Sequence, residues 1–450
     1  MTALLTTADL PRVRITPRVV RSVVDRTRTT ALFERIAAAA PYAAHLRAPG
    51  RQELVLSAPE LARDVLVTQG RSFGKGEGLG RTRFLLGQGL LTADRELHRR
   101  QRPVVQPAFH RSRMPGYAAA MVDAAQAHAA TWRDGEVVEM TSEMQRLTLA
   151  AVGTTLLGAD TGAEAADRVA PALATVLRAW EVALLPGMER LRETRLPGAV
   201  RTRAAIASLD ELVRGVVSSA RARGGGDDVV SALLASQDEV GTDDTQVRDE
   251  VMTLLLAGHE TTANALTWTL HLLSDAPHVA ERLRRELAAL GDRDPSYADL
   301  PALPWAYAVV AESMRLFPPA WILEREALDD VVVGGIEVPR GEQLIMSTWV
   351  LHRDPRSWVA PLAFRPERWL DAAGRFDETA PGQPRGAWQP FGGGTRVCIG
   401  ESFAWTEAVL LLGVLLRRWA PVRVPEQRVA TRAAVTLRPA HGMRMRLHAV

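Results

Sequence analysis

Residues 391–400 read FGGGTRVCIG, and they contain Cys398, the single cysteine of the 450-residue chain. A lone thiol forms no intrachain disulfide, so its use lies in packing, reactivity or metal ligation. The three consecutive glycines allow positive φ angles and the close approach of another group. An apolar stretch with helical spacing runs from Ile399 to about Trp419. The pattern predicts a glycine-rich loop that presents one sulfur at the start of a helix.

Two interpretations of Cys398 stay open on this loop alone. Cysteine outside disulfides is among the most buried residue types and often behaves as a small apolar side chain. A packing cysteine needs no glycine cluster, whereas a sulfur held against a large flat cofactor does. The distinction has to come from other parts of the chain.

The composition is that of a globular protein, with 47% hydrophobic and 24% charged residues. The net charge is +3, and the basic residues are scattered rather than grouped as in a nucleic-acid-binding tail. A single cysteine favours a reducing compartment. The N-terminus has no apolar core of signal-peptide length, and no apolar run approaches the roughly 20 residues of a membrane helix. We therefore expect a cytoplasmic protein with no membrane span and no nucleic-acid partner.

Helical patterns dominate the chain, and short strand-like segments lie among them. The longest helical pattern covers residues 245–275, and its apolar centre is typical of a helix that crosses a core. Short β-branched runs between residues 321 and 346 predict hairpin strands, and residues 422–450 contain further strand-like segments. Because the two kinds of element are interleaved, we expect one large domain over residues 1–450, mainly α with a smaller β region.

Residues 71–91 are rich in glycine and show little periodicity. A loop of this length inside a compact domain is often functional. A plain surface loop is the alternative interpretation.

Residues 257–262 place AGHETT inside the longest helical pattern. Glycine in a helix interior costs about 1 kcal/mol relative to alanine. The Thr261 hydroxyl can bond to the carbonyl of Ala257 and bend the helix. A helix loosened there would admit water and offer the Glu260 carboxyl together with a hydroxyl, which are the parts of a proton relay. A polar patch where the helix reaches solvent is the equal alternative.

Two charged sets have helical spacing. Glu312 and Arg315 lie three residues apart among apolar neighbours, and buried charges need further partners, for which Arg368 in FRPERW is a candidate. His98 and Arg102 lie four residues apart, so on a helix they share a face that could hold carboxylates. A solvated helix face is the ordinary alternative for the second pair.

In chain order the motifs are AGHETT, ESMR, PERW and FGGGTRVCIG. Together they resemble the cytochrome P450 family, the haem-thiolate monooxygenases. The four motifs lie between residues 257 and 400, and the cysteine loop agrees with the family in its phenylalanine, glycines, arginine and cysteine. The resemblance implies the cytochrome P450 fold, a triangular helical prism around a buried haem. It implies one such domain over residues 1–450 with no fused reductase, since about fifty residues follow Cys398.

The resemblance also implies roles for the motif residues. Cys398 becomes the axial thiolate of the iron of haem b, in a cofactor-binding loop that includes Phe391 and Gly400. Glu260 and Thr261 match the acid–alcohol pair that delivers protons during dioxygen activation. A structural triad behind the cysteine loop comprises Glu312, Arg315 and Arg368. The haem-propionate partners are His98, Arg102, Arg325 and Arg396. Proline disfavours helical geometry in the residue before it, so whether Pro103 displaces Arg102 stays open.

The family's distal pocket falls on apolar positions of this chain and on the loop at residues 71–91. Besides the loop, the pocket positions that the resemblance implies are Thr253, Leu256, Ala257, Ala320, Trp321, Ile322 and Thr436. Such a lining predicts a hydrophobic small-molecule substrate such as a terpene, a fatty acid or a macrolide-like core. The surroundings of PPAW and LRP are similar to bacterial terpene hydroxylases.

The leading hypothesis is a monooxygenase that hydroxylates or epoxidises that substrate with electrons from a separate ferredoxin or flavodoxin and its reductase. A peroxide-driven or non-oxidative haem-thiolate enzyme is an alternative, which the intact Glu260–Thr261 pair disfavours. A haem-binding sensor is a further alternative. A protein without haem, with Cys398 in a packing role, is the last.

Overall fold

The computed structural model describes residues 4–14, 16–48, 51–158, 163–183, 194–226, 228–237, 242–379 and 384–450. The α-helices of these residues are α1 (Pro17–Val24), α2 (Thr29–Ala39), α3 (Pro59–Arg63), α4 (Glu77–Gly80), α5 (Arg83–Leu86), α6 (Arg95–Val105), α7 (Met114–Ala129), α8 (Met140–Leu156), α9 (Ala163–Ala183), α10 (Pro197–Arg223), α11 (Val229–Ala235), α12 (Asp244–Asp275), α13 (Pro277–Ala288), α14 (Pro304–Leu316), α15 (Thr348–Leu351) and α16 (Glu401–Leu416).

The strands are short by comparison. They are β1 (Leu5–Thr6), β2 (Arg12–Arg14), β3 (Ala43–Ala48), β4 (Arg51–Leu56), β5 (Phe73–Lys75), β6 (Val137–Glu139), β7 (Leu323–Ala327), β8 (Val331–Val333), β9 (Ile336–Val338), β10 (Gln343–Met346), β11 (Val422–Arg423), β12 (Thr431–Ala433), β13 (Leu437–Pro439) and β14 (Arg444–Arg446). The prediction of a mainly α protein with a smaller β region is confirmed.

The longest predicted helix is α12, and its start is fixed by a side-chain cap. The Asp243 carboxylate accepts a hydrogen bond from the backbone N–H of Gln246 at 2.7 Å, which satisfies one of the unpaired donors of the first turn. The helix predicted after the cysteine loop is α16. It begins at Glu401, because Gly400 is its N-cap residue.

The chain divides into two compact units. Unit 1 comprises Met1–Glu77, Ala308–Cys398 and Gln427–His441, and unit 2 comprises Gly78–Tyr307, Ile399–Glu426 and Gly442–Val450. Both are assembled from interleaved stretches of chain. The single domain expected over residues 1–450 stays a prediction.

Unit 1 is built around a six-stranded sheet with the strand order β2-β3-β4-β10-β7-β5. Side chains alternate between the faces of a strand, and β10 shows this clearly. Leu344 and Met346 join one apolar cluster with Leu54 and Leu61, while Ile345 joins another that includes residues of α2. Two smaller sheets of unit 1 have the orders β1-β9-β8 and β12-β13.

Unit 2 is mainly helical. Its long helix α12 packs against α8, α10 and α16, and α16 also packs against α7. A three-stranded sheet with the order β11-β14-β6 belongs to the same unit. Over the described residues, no helix combines the length and the apolar character needed to cross a membrane.

Two local expectations differ from the structure. The sequence pattern of residues 59–68 predicts one helix, but after α3 the backbone continues as a π-helical turn, Asp64–Thr68. The stretch 71–91, predicted as a loop, contains β5, α4 and α5. Several of its side chains are buried, including Phe73, Leu85 and Leu86, so it is not a plain surface loop.

Candidate active site

The cysteine loop is closed by two backbone hydrogen bonds within unit 1. The N–H of Cys398 donates to the carbonyl of Phe391 at 3.0 Å, and the N–H of Val397 donates to that of Gly394 at 3.1 Å. Between them lies a 3₁₀ turn, Gly394–Arg396. Cys398 itself is exposed. The loop therefore holds the cysteine backbone in place and leaves its side chain accessible, as a metal ligand requires.

Gly394 is required by the packing of this loop. Its φ is +65°, and a Cβ atom at this position would overlap the backbone carbonyl of Leu66. Leu66 belongs to the π-helical turn Asp64–Thr68, and the side chain of Val67 lies 3.0 Å from a Cβ placed on Gly393. Gly393 and Gly394 therefore allow the π-helical turn Asp64–Thr68 to pack closely against the cysteine loop.

Two arginines of unit 1 come close together. Arg325 lies on β7, and it is 6% exposed. Burial, and after it the positive charge of Arg396, lower the pKa of its guanidinium to about 10. A carboxylate between them would raise that pKa and relieve the repulsion. The pair therefore fits an anionic group such as a haem propionate.

Glu312 is the centre of a buried ionic cluster of unit 1. Arg315 donates two parallel hydrogen bonds to its carboxylate, each of 2.8 Å, and the two side chains are 0% exposed. Arg368 donates a third from Nε at 3.0 Å. The sequence-predicted triad is therefore brought together in space. Its place in the fold is structural, since charged hydrogen bonds of this kind offset the cost of burying the ions.

Sequence reasoning missed two partners of Glu312. Trp369 donates from its indole Nε1 at 2.9 Å, and the backbone N–H of Arg365 donates at 2.9 Å. Both belong to the segment around PERW, so the motif supplies three donors and not only the one from Arg368. The tryptophan after the arginine was the available signal.

The acid–alcohol pair lies on α12, which is unbroken from Asp244 to Asp275. Thr261 donates its hydroxyl hydrogen to the carbonyl of Ala257 at 2.8 Å, as predicted. Glu260 is buried. Gly258 has a packing reason: a Cβ atom there would lie 3.1 Å from the side chain of Val152 on α8. The glycine permits close helix packing and does not interrupt the helix, contrary to the expected loosening.

The pocket residues predicted on α12 share a helix face with Thr261. Thr253 and Leu256 are buried, while Ala257 is exposed and Thr261 is half-buried. Exposure in the middle of an otherwise buried helix marks a face that the protein itself does not cover. Small side chains there leave room for a bound group.

His98 and Arg102 both lie on α6, whose apparent break at Pro103 does not occur. The helix runs through the proline to Val105, and the N–H of Gln106 donates to the carbonyl of Arg102. His98 is buried and Arg102 is half-buried. Arg102 therefore keeps the helical position that its spacing from His98 predicted.

The last predicted pocket segments meet in unit 1. The N–H of Leu437 donates to the carbonyl of Pro319 at 3.0 Å, and the indole of Trp321 donates to the carbonyl of Ala434 at 2.9 Å. These bonds hold the segment 320–322 beside the turn that contains Thr436. Ala320 and Ile322 are half-buried, and Trp321 and Thr436 are buried.

A sequence profile described as Cytochrome P450 matches residues 44–439. The chain belongs to the cytochrome P450 family. Cyclooctatin synthase of Streptomyces melanosporofaciens is 38% identical to this P450 over 387 residues, which cover 84% of this chain and 83% of the relative. Pentalenene oxygenase of Streptomyces avermitilis is 36% identical, with 87% and 86% covered. Cyclooctat-9-en-7-ol 5-monooxygenase of Streptomyces melanosporofaciens is 34% identical, with 82% and 80% covered.

Membership of the family fixes the broad chemistry of this P450. It is a haem-thiolate monooxygenase, an oxidoreductase that incorporates oxygen into a hydrophobic substrate, and it depends on haem iron and on a redox partner. The residues described above fit such a cofactor. The accessible thiol of Cys398 could bind the haem iron, and the close side chains of Arg325 and Arg396 could bind a haem carboxylate.

Proposed function

We propose that this P450 hydroxylates or epoxidises a terpenoid. Two supports are independent of each other. The relatives that match over four-fifths of the chain include a pentalenene oxygenase and a cyclooctat-9-en-7-ol 5-monooxygenase, and the pocket positions on α12 carry apolar or small side chains. A hydrocarbon skeleton has few groups that can form hydrogen bonds, so a pocket with an apolar lining is suited to bind it.

The observation that carries the proposed site is the cysteine loop. The hydrogen bond from Cys398 N–H to Phe391 O and the packing of Gly394 on Leu66 fix the loop while the thiol stays accessible. In the proposal Cys398 is the axial ligand of haem b, in a loop that includes Gly400. Haem held by a thiolate supplies dioxygen activation and oxygen insertion when electrons are delivered to it.

The carboxylates of the cofactor would be held by His98, Arg102, Arg325 and Arg396. Arginine binds carboxylates through a planar pair of donors. The Arg325–Arg396 pair has the strongest support, because a carboxylate beside it would offset the burial of Arg325 and the repulsion between the two cations.

Glu260 and Thr261 would hold and move protons. The Thr261 hydroxyl directs its hydrogen to Ala257 O, so its lone pairs remain able to accept a hydrogen bond. Glu260 is the adjacent acid on the same turn. After the Thr261 hydroxyl has given up its proton, a neighbouring carboxyl can supply a new one. The electron donor would be a ferredoxin or flavodoxin with its reductase. A cytoplasmic location stays a prediction.

The first test is the spectrum of the reduced protein with carbon monoxide. We expect the red-shifted haem band of a thiolate complex in the wild type and its replacement by an unshifted band in Cys398→His, which still offers a ligand. Because the chain has one cysteine, a thiol reagent gives an independent reading: haem should protect Cys398 from labelling. An unshifted band in the wild type, or labelling of the haem-loaded protein, would exclude Cys398 as the ligand.

The second test concerns the substrate and the oxidant. We expect terpenoid hydrocarbons, and not fatty acids of similar size, to change the spin state of the iron, and the hydrocarbons that do so should be oxidised with reduced ferredoxin and dioxygen. Turnover with peroxide alone would favour the peroxide-driven alternative. A spin-state response confined to fatty acids would exclude the terpenoid proposal.

A further inference from the structure

Two adjacent carboxylates near the start of α12 hold the backbone of residues 87–90. The N–H of Gln88 donates to Oδ2 of Asp249 at 2.8 Å, and the N–H of Leu90 donates to Oε2 of Glu250 at 2.9 Å. Asp249 is 5% exposed and Glu250 is 0% exposed. Both partners lie within unit 2. We call Asp249 and Glu250 the carboxylate clamp.

The sequence of the held segment is fitted to the clamp. Gly87 has φ of +52°, and a Cβ atom there would overlap the carboxylate of Asp249. A Cβ atom on Gly89 would overlap the hydroxyl of Thr253, one turn further along α12. The two glycines therefore allow the segment to lie directly on the helix, against a side chain of the proposed substrate pocket.

Three neutral side-chain contacts complete the attachment. The amide of Gln246 donates to the carbonyl of Gln88 at 3.1 Å and to Oε1 of Glu250 at 3.2 Å. The amide of Gln101, from α6, donates to the same carbonyl of Gln88 at 3.1 Å. The backbone of Gln88 is thus bonded through its N–H and its C=O.

Arg248 holds the turn that precedes residues 87–90. Its Nη1 donates to the carbonyl of Leu85 at 2.8 Å and to Oδ1 of Asp249 at 2.9 Å, and its guanidinium also pairs with Asp210 on α10. Asp249 is therefore oriented by a cation on one oxygen and bonds the loop with the other.

We propose that Asp249 and Glu250 are positioning residues for the P450 reaction, which hold residues 87–90 against Thr253 and so set the size limit of the substrate pocket. The inference rests on the proposed function in one respect, the assignment of Thr253 to that pocket. Burying two neighbouring acids is unfavourable. The Asp249 carboxylate, which also pairs with Arg248, supplies a charge-assisted hydrogen bond, and such a bond is stronger than one to a neutral acceptor.

The clamp is sensitive to pH through Glu250. Burial raises the pKa of Glu250 to about 7, the hydrogen bonds from Leu90 and Gln246 oppose the shift, and the charge of Asp249 adds to it. The other charged groups nearby are Arg248 on α12, which pairs with Asp249, and Arg100 and Asp243, which line a cavity of about 140 Å³ beside Glu250.

The direction follows from the raised pKa. The closed segment binds the Glu250 proton more tightly than an opened segment, in which the carboxyl meets water, so the closed state is favoured at low pH. That preference is lost as the pH rises from about 5 to about 7. Loosening with increasing pH is therefore expected for this segment.

Hydrogen exchange of the amides of Gln88 and Leu90 tests the clamp directly. We expect Asp249→Ala and Glu250→Ala to lower the protection factors of these amides by about tenfold or more, since each variant removes a buried acceptor. Asp244→Ala is the matched control, because its exposed carboxylate on the same helix bonds Arg221 and Gln237 instead of residues 87–90. Unchanged protection in both clamp variants would overturn the proposal.

Glu250→Gln keeps an acceptor and a folded site. We expect the protection factor of Leu90 to fall between about pH 5 and pH 7 in the wild type and to stay level in Glu250→Gln. The same decline in both proteins would contradict the role of the carboxyl group. Neither exchange measurement depends on haem or substrate, so a failure of the proposed function would leave this reading intact.

The pocket itself is tested in the haem-loaded protein with two nitrogen ligands of different size. We expect the clamp variants to change the affinity for 4-phenylimidazole by about fivefold or more, while imidazole, which lacks the phenyl ring, binds as to the wild type. Equal changes for both ligands would indicate a disturbed haem site, and no change for either would show that the clamp does not limit the pocket. Both results would overturn the proposal.

Discussion

Arg315 and Glu312 form a fully buried pair joined by two hydrogen bonds of 2.8 Å. The remaining donor capacity of Arg315 is used on backbone carbonyls, those of His352 at 2.8 Å, Pro361 at 2.6 Å and Ala363 at 3.1 Å. The pair therefore ties the end of α14 to the segment that precedes PERW.

Glu312→Gln should destabilise the protein by about 3–5 kcal/mol, because it leaves the Arg315 charge buried without its counter-ion. Chemical unfolding followed by circular dichroism measures this. Arg99→Gln removes an exposed partner of Glu96 and should change little. Replacing Glu312 and Arg315 together by apolar residues should cost at least as much as Glu312→Gln, because Arg368, the Trp369 indole and three backbone carbonyls then lose their partners. A double variant more stable than Glu312→Gln would contradict this account of the cluster.

Gly394→Ala and Gly392→Ala distinguish the cost of a positive φ angle from the cost of a steric overlap in the cysteine loop. Both glycines have positive φ, +65° and +73°, but only the Gly394 position brings a Cβ atom onto the Leu66 carbonyl, while nothing lies within 4 Å at Gly392. Gly392→Ala should cost about 1 kcal/mol of backbone strain. Gly394→Ala should cost more and weaken the thiolate band of the carbon monoxide complex. Equal effects of the two variants on stability and spectrum would show that packing on Leu66 does not matter.

The elements that sequence could predict are those whose cause is local. The apolar centre of α12 and the apolar stretch of α16 after the glycine-rich loop each act within one element. The π-helical turn Asp64–Thr68 was not predictable, because residues 59–68 carry an ordinary helical pattern. What selects the turn lies elsewhere in the chain, since it packs against the turn Gly394–Arg396.

The same reasoning explains what was predicted of the site. Glu312, Arg315 and Arg368 were found from spacing and a family motif, whereas Trp369 was missed because an indole carries no charge. The carboxylate clamp was missed because its hydrogen bonds join residues 160 and 161 positions apart. Sequence patterns within one element contain no sign of such pairs.

Ala360→Gly should stabilise the protein. Ala360 is the one non-glycine residue with positive φ, +47°, among those the structure describes, and it precedes Pro361. Glycine adopts this conformation without steric cost, so we expect a gain of about 0.5–1 kcal/mol, measured by chemical unfolding. Ala363→Gly, in the same segment with an ordinary φ, should destabilise instead. A gain in the Ala363 variant, or a loss in the Ala360 variant, would contradict the assignment of strain to Ala360.

Thr261→Ala should separate electron consumption from substrate oxidation. Without the hydroxyl the proposed proton path is incomplete, and the product formed per electron pair should fall by about tenfold or more while hydrogen peroxide accumulates. Thr269→Ala is the control, because its hydroxyl makes the same kind of bond on the same helix, to Ala265 O at 2.7 Å. Fully coupled oxidation in Thr261→Ala would remove Thr261 from the proton path.

Glu407→Gln should alter the pH dependence of stability. Glu407 lies on α16 and is fully buried; burial raises the pKa of its carboxyl to about 8, and hydrogen bonding to Thr262 opposes the shift only in part. Between pH 4.5 and 8 the folded protein therefore holds this proton more tightly than the unfolded chain does. The free energy of unfolding should decrease across that window as the pH rises, by at most about 1.4 kcal/mol per pH unit from this group.

Glutamine cannot ionise, so the difference in unfolding free energy between Glu407→Gln and the wild type should shift in favour of the variant as the pH rises from 5 to 8. Unfolding curves at several pH values measure that difference. Glu281→Gln, which changes an exposed carboxylate on α13, should keep a nearly constant difference from the wild type. A constant difference for Glu407→Gln as well would mean that Glu407 is ionised in the folded protein at neutral pH, with a cation or donor compensating its burial.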